Sequence, residues 1–295
     1  MEMSSCRSKQ VEATALSKSN SNRLMLKSLA LVVPVLLFQG LAFPQDPSQL
    51  VQRMVRNELA AAKDDQSEWI YRDSNSQKGM TRVEEVIQTP EGHMSRLISV
   101  NGKAPKPTEE KRSQDDIQKF LTDPAYRKQQ REKLEQDGKK ATDLLAMLPK
   151  AFLYKLQRRR GQVIYLTFQP NPKFHPPSRE AKVFHAMAGT LLIDAKSTRL
   201  SKLSGHLIEP VNFGGGILGK LQKGGTFEVD QADVGEGHWE MVRLDVHISG
   251  RALFFATIKE QQHEVMTDFH EVPPGTTLAR SAEMLKDTSD VASKR

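Results

Sequence analysis

The chain is almost without cysteine: Cys6 is the only one among 295 residues. Beyond it there is no disulfide, no thiolate nucleophile and no cysteine metal ligand. Paired metal-binding histidines are missing as well. His93, His175, His185, His206, His238, His247, His263 and His270 form no H-x-H, H-E-x-x-H or H-x₃-H pair, so a metal site would need long-range convergence. No G-x-S-x-G nucleophile elbow occurs. Asp194, Asp230, Asp233 and Asp245 fall in strand or turn segments at spacings that bring no two together for acid–base work. Aromatic residues are 6%, and no long basic stripe interleaved with aromatics accompanies the formal net charge of +7, so a nucleic-acid footprint is lacking. The expectation is a protein that is not an enzyme and needs no cofactor or metal.

Long hydrophobic runs are also scarce, and the one present lies near the start. After Arg23 and Lys27 comes SLALVVPVLLFQGLA, residues 28–42, with small residues at Gly40 and Ala42 before FPQDP. A basic flank, a short apolar core and a small-residue site are the form of a secretory signal peptide, with cleavage expected after Ala42. The run is short for the ~20 residues of a transmembrane anchor, and Pro34 interrupts it. Met25 offers an alternative start, since MLKSLALVV opens a compact signal peptide by itself. With no cysteine after the run, a periplasmic or secreted protein is expected rather than a lipid-modified one. The expected divisions are 1–42, a single domain over 43–274, and a polar tail over 275–295.

Periodicity then supplies the elements. DPSQLVQRMVRNELAAAK reads as a helix capped by Asp46, with Pro47 at its first position. Leu50, Val51, Met54, Val55 and Leu59 form its apolar stripe. SEWIYRDS, GMTRVEEVIQT and MSRLISVNGK read as antiparallel strands divided at Gly92 and Asn101–Gly102. Residues 103–148 read as a charged helical insertion, with Asp123–Pro124 repeating the earlier cap, Gly138 as a break and Pro149 as a stop. From Ala151 the chain is mostly strand. Turns are expected near Arg160–Gly161, over Ala195–Thr198 and at Ser249–Gly250. In HWEMVRLDVHIS, Val242, Leu244, Val246 and Ile248 face one way and Arg243, Asp245 and His247 the other. Strands segregated from helices predict an α+β fold with an antiparallel sheet. About ten strands in one open sheet would curl strongly, with helices covering the concave face.

One glycine-rich stretch, FGGGILGKLQKGGTF at 213–227, invites a nucleotide reading. Gly214, Gly219 and Lys220 match G-x-x-x-x-G-K, and Gly214, Gly216 and Gly219 match G-x-G-x-x-G. Leu221 stands where the phosphate loop needs Ser or Thr for Mg²⁺. Gly224–Gly225 stops any following helix, and no βαβ unit surrounds the glycines. No nucleotide is expected. Instead Phe213, Ile217, Leu218 and Leu221 could make a one- to two-turn apolar ridge hinged by glycines. That ridge is either a core wedge or a mobile cover over an apolar cavity.

The stretch AMAGTLLIDAKSTRLSKLSGHLIEPVNFGGGILGKLQKGGTFEV, followed by HWEMVRLDV, resembles exported proteins of the outer-membrane lipoprotein-sorting type, the LolA/LolB-like half-barrels. The features are G-x-L-x-I-D from Gly189 to Asp194, a Thr–Arg turn, and an aromatic-led strand with a charged face. The layout extends over 46–270, with recognisable residues over 185–260. The resemblance implies a curved antiparallel sheet wrapped around helices, with an apolar cavity for acyl chains in transit. On this reading the chain is a periplasmic carrier or binding protein for a lipid or lipoprotein acyl chain. Val242, Leu244, Phe254 and Ile258 are the expected cavity residues, and Phe213, Ile217, Leu218 and Leu221 the expected cover. The alternative is a structural or interaction module of the cell envelope with a filled core and a protein partner. Either reading allows at most peripheral membrane contact.

Overall fold

The computed structural model describes residues 46–213, 219–252 and 261–292, with backbone only for Phe213, Gly219, Arg251, Ala252 and residues 287–292. Helix α1 spans Pro47–Asp64. Its start follows from Asp46, whose carboxylate accepts the Ser48 N–H at 2.9 Å, and from Pro47, which has no N–H to leave unpaired. Three strands follow in hairpins: β1 (Trp69–Gln77), β2 (Met80–Thr89) and β3 (Gly92–Val100). The β1–β2 turn is Lys78–Gly79, both at positive φ, which matches the twist of the two strands. Helices α2 (Pro107–Thr122) and α3 (Pro124–Ala151) occupy the charged stretch. The Asp123 carboxylate caps α3 through the Ala125 and Tyr126 N–H groups. Gly138 does not break α3, and Pro149 sits inside its last turn. The two helical halves share a continuous axis, and one glycine costs only about 1 kcal/mol against alanine.

The second half is strand: β4 (Phe152–Arg160), β5 (Val163–Pro170), β6 (Met187–Asp194), β7 (Leu200–Leu207), β8 (Val211–Phe213), β9 (Gly219–Leu221), β10 (Thr226–Gly235), β11 (His238–His247), β12 (Gly250–Ala252) and β13 (Gln261–Glu271). A 3₁₀ segment at Glu180–Ala186 precedes β6. Ten strands form one antiparallel sheet in the order β3-β2-β1-β13-β11-β10-β7-β6-β5-β4, and β12-β9-β8 make a small second sheet. The large sheet is not closed, as the expected half-barrel requires. Residues 253–260, within the part expected to be mostly strand, lie outside the described residues.

Registered pairs put the two cores on opposite faces of this sheet. Directly opposed residues share a face. Leu166, Leu191, Leu203, Val229 and Leu244 therefore line up on one face across β5, β6, β7, β10 and β11. The row continues through Glu264 and Asn75 to Arg82. At its β5–β6 end it is sealed by Leu50, Val51, Met54 and Val55 of α1 and by Leu148 and Ala151 of α3, all buried in the larger core. Each of those α1 side chains contributes about 1.5–3 kcal/mol by leaving water. Ile70, Ile87 and Met94 project from the other face, where Phe120 of α2 covers them together with Ala282 and Leu285. Ala282 and Leu285 belong to a fourth helix, α4, at Leu278–Ala292.

Two expectations change here. Helices cover both faces rather than the α1 face alone. The polar tail expected over 275–295 contains α4, whose Ser281, Ala282 and Leu285 are buried. Polar residues on the solvent side of α4 hide its 3–4 apolar spacing. A partly buried ion pair ties it to the sheet: Arg96 bonds the Leu285 carbonyl through Nε and Glu85 through Nη2 at 3.0 Å.

Candidate functional site

The α1 face changes character along its rows. Leu166 and Leu191 are fully buried, Leu203, Val229 and Leu244 are half-buried, and the next residue in the row is a carboxylate, Glu264. Strand β1 explains the change. WIYRDSNSQ alternates so that Tyr71, Asp73, Asn75 and Gln77 share the α1 face. On β2, Glu84 lies opposite Asp73 and Arg82 opposite Asn75. A half-apolar strip thus runs into a polar patch with three carboxyl groups.

Crowding and burial alter those groups. Burial, with Glu264 and Glu84 adding their charge, pushes the Asp73 carboxyl up to about 7. Burial also raises Glu264, against hydrogen bonds from Gln262 and Asn75 that favour its charged form. The Tyr71 hydroxyl is raised by burial and by Asp73, Glu240 and Glu264. Arg82 bonds Glu84 Oε1 at 3.2 and 2.9 Å and leaves Asp73 without a cation of its own on β2. Asp73 Oδ1 is shielded from solvent with no hydrogen-bond partner, and so is Gln231 Oε1 on β10. Both are acceptors, and an unpaired shielded acceptor calls for an N–H or O–H donor.

A cleft of about 450 Å³ opens beside the last turns of α1. Glu58, Arg199, Gln231, Trp239, Glu240 and His93 are among its walls. Glu58 falls on the apolar stripe of α1 and is buried. Its carboxylate takes a two-pronged bond from Arg199, Nε to Oε1 at 2.8 Å and Nη2 to Oε2 at 3.0 Å, and also accepts the Leu200 N–H. The Arg199 guanidinium lies 5.9 Å from the Trp239 ring centre. Burial raises Glu240, with Asp65 adding to it, and burial lowers His93. His238 is raised by its hydrogen bond to Asp65, Nδ1 to Oδ2 at 3.1 Å.

The expected cavity and cover residues separate. Leu244 lies on the apolar strip. Val242 is the extra residue of a bulge, because Asp230 pairs with Arg243 and Gln231 with Met241. Leu221 is fully buried in the larger core, paired with Val211 across β8–β9. Phe213 pairs with Gly219 in the same small hairpin. The helical ridge expected there is therefore replaced, at its two described ends, by paired strands, and Lys220 sits in a strand rather than at a helix N-terminus. The stretch after Lys220 thus has no helix N-terminus to offer a phosphate. Ile217, Leu218, Phe254 and Ile258 lie outside the described residues.

The polar half of the site was not anticipated. Its signal was present in β1, where Asp73, Asn75 and Gln77 alternate with Arg72, Ser74 and Ser76, leaving no apolar face. Glu58 was equally readable as a charge on an apolar stripe, which needs a buried partner. Chemically, the arrangement sets a half-buried apolar strip, Leu203, Val229 and Leu244, on the same face as shielded acceptor oxygens of Asp73 and Gln231. Among the described residues no group of three His, Cys, Asp or Glu side chains could hold a metal ion. No protein-family model matches the chain, and no curated protein matches it significantly.

Proposed function

We propose that this protein is an exported, non-enzymatic carrier or binding protein for an amphiphile, a lipid or lipoprotein acyl chain, of the lipoprotein-sorting half-barrel type. The observation that carries this reading is the strip of half-buried Leu203, Val229 and Leu244 on the α1 face, ending at Glu264, with Asp73 in the neighbouring row. A closed core would bury such a strip, and a bare surface would not supply it. An acyl chain laid along it removes apolar area from water at about 25 cal/mol per Å². A head group with N–H or O–H donors would satisfy the shielded oxygens of Asp73 and Gln231. The signal-like residues 28–42 support passage out of the cytoplasm.

Native mass spectrometry with lipid extraction of the purified protein tests the proposal, followed by titration with a fluorescent fatty acid. Bound acyl ligand is expected, with at least 10-fold weaker fatty-acid binding in Leu244→Glu, since a buried unpaired charge costs several kcal/mol. Repeated absence of ligand together with no fatty-acid binding would refute it. The full burial of Leu221 favours a second reading, an envelope interaction module with a filled interior. Crosslinking that recovers one protein partner, with no ligand found, would favour that reading.

A further inference from the structure

One stretch carries a charge surplus as large as that of the whole chain. Residues 144–179 contain seven of the 43 Lys and Arg residues and none of the 36 Asp and Glu residues, so the remainder is balanced. The centre of this stretch is β4 and its turn into β5. β4 is an edge strand, with a partner only on its β5 side among the described residues. Lys155, Arg158, Arg159 and Arg160 are all exposed, and none forms an ion pair with a described carboxylate. Arg158 lies 4.5 Å over the Tyr165 ring, which holds its guanidinium at the surface.

The same strand exposes two large apolar side chains, one on each face of the edge: Leu153 at 47%, opposite Gln169, and Leu156 at 41%, opposite Leu166. Charges alone would be explained as protection of a sheet edge against pairing with another edge. Exposed leucines work against that purpose. Leucines and arginines together suit a surface that is anionic outside and apolar just beneath. Nucleic acid would find no exposed stacking ring here, because Tyr165 is covered by Arg158. A partner strand would meet a bulge between Leu156 and Arg158 that breaks the regular edge.

We infer that the β4 edge and its turn to β5 are a docking surface for an anionic lipid bilayer, with Leu153 and Leu156 entering the head-group layer. The inference does not use the α1-face strip, so it stands or falls apart from acyl binding. It is tested by flotation of the purified protein with vesicles. Vesicles of phosphatidylcholine and phosphatidylglycerol in equal parts should bind at least 10-fold more tightly than phosphatidylcholine alone. Raising salt from about 0.1 to about 1 M shortens the Debye length from about 10 to about 3 Å and should release most of the protein.

The triple variant Arg158→Gln, Arg159→Gln, Arg160→Gln should weaken binding on the order of 100-fold, at roughly 1 kcal/mol per basic residue near the surface. Removing as much charge elsewhere, with Lys111→Gln, Arg112→Gln and Lys133→Gln, should change it less than about threefold. Leu153→Ser with Leu156→Ser should weaken it about 10-fold or more, as expected for lost apolar insertion. Equal binding to both kinds of vesicle, equal loss from the two charge variants, or unchanged binding of the leucine variant each overturns the inference. The lipid preference and salt response of the unaltered protein decide it even where a variant folds poorly.

Discussion

Asp73 is predicted to destabilise the protein it belongs to at neutral and alkaline pH. Its carboxyl is pushed up to about 7 in the fold, against an ordinary value of 3.8. The folded state therefore holds this proton more tightly than the unfolded chain does. With respect to this group, stability is greatest below about pH 4, declines between about pH 4 and 7, and is flat above. A shift of about three units corresponds to about 4 kcal/mol, and solvent screening of this half-buried group reduces that to about 2 kcal/mol. Asp73→Asn keeps the shape, removes the charge and supplies an amide donor to the neighbouring carboxylates. Thermal unfolding followed by circular dichroism should give the variant a melting temperature about 4–8 °C higher at pH 8, at about 2–4 °C per kcal/mol for a domain of this size. Near pH 4 the two proteins should melt together. An equal difference at both pH values, or a less stable variant at pH 8, would show that crowding of carboxyl groups is not the cause.

Three more substitutions probe how α1 and the sheet are held together. Glu58→Ala leaves Arg199 buried and unpaired and strands the Leu200 N–H, so urea unfolding should show a loss of about 3 kcal/mol; a loss below about 1 kcal/mol would mean that Arg199 escapes to water. Gly189→Ala and Gly205→Ala form a graded pair. A methyl on Gly189 meets the Ser204 carbonyl and comes within 2.7 Å of Gly205 Cα, whereas one on Gly205 meets the edge of the Phe227 ring. Backbone cannot yield and a ring can turn, so Gly189→Ala should cost about 3 kcal/mol and Gly205→Ala about 1 kcal/mol, and equal costs would refute the distinction.

The fold class was legible because its cues are local. Asp46–Pro47 and Asp123–Pro124 start helices where their chemistry demands, and Asn101–Gly102, both at positive φ, makes the turn that ends β3. Alternation in β11 placed Leu244 and Val246 opposite Arg243 and Asp245, as the register shows. What was not legible depends on distant partners. Arg199 and Glu58 lie 141 residues apart, so the ion pair that makes Glu58 tolerable cannot be read from either segment. α4 looked like a tail because its apolar residues are few and their partner, the far face of β1–β3, is remote in sequence. The glycine stretch misled in the opposite way. Its motif was local, but its meaning depends on surroundings, and Val211 and Leu221 make those surroundings a hairpin.

Opposed cores on one sheet have a mechanical consequence. The β5–β6 end is clamped from one side by α1 and the β1–β3 end from the other by α2 and α4. Between them β10, β11 and β13 carry only two buried side chains, Val246 and Met266. Twist can therefore be stored or released in the middle strands while each end stays intact, like a strap held at both ends and free to turn between. The strip of Leu203, Val229 and Leu244 begins at one clamp and runs through that compliant zone. Sheet torsion in that zone would alter the strip's width without either core being opened.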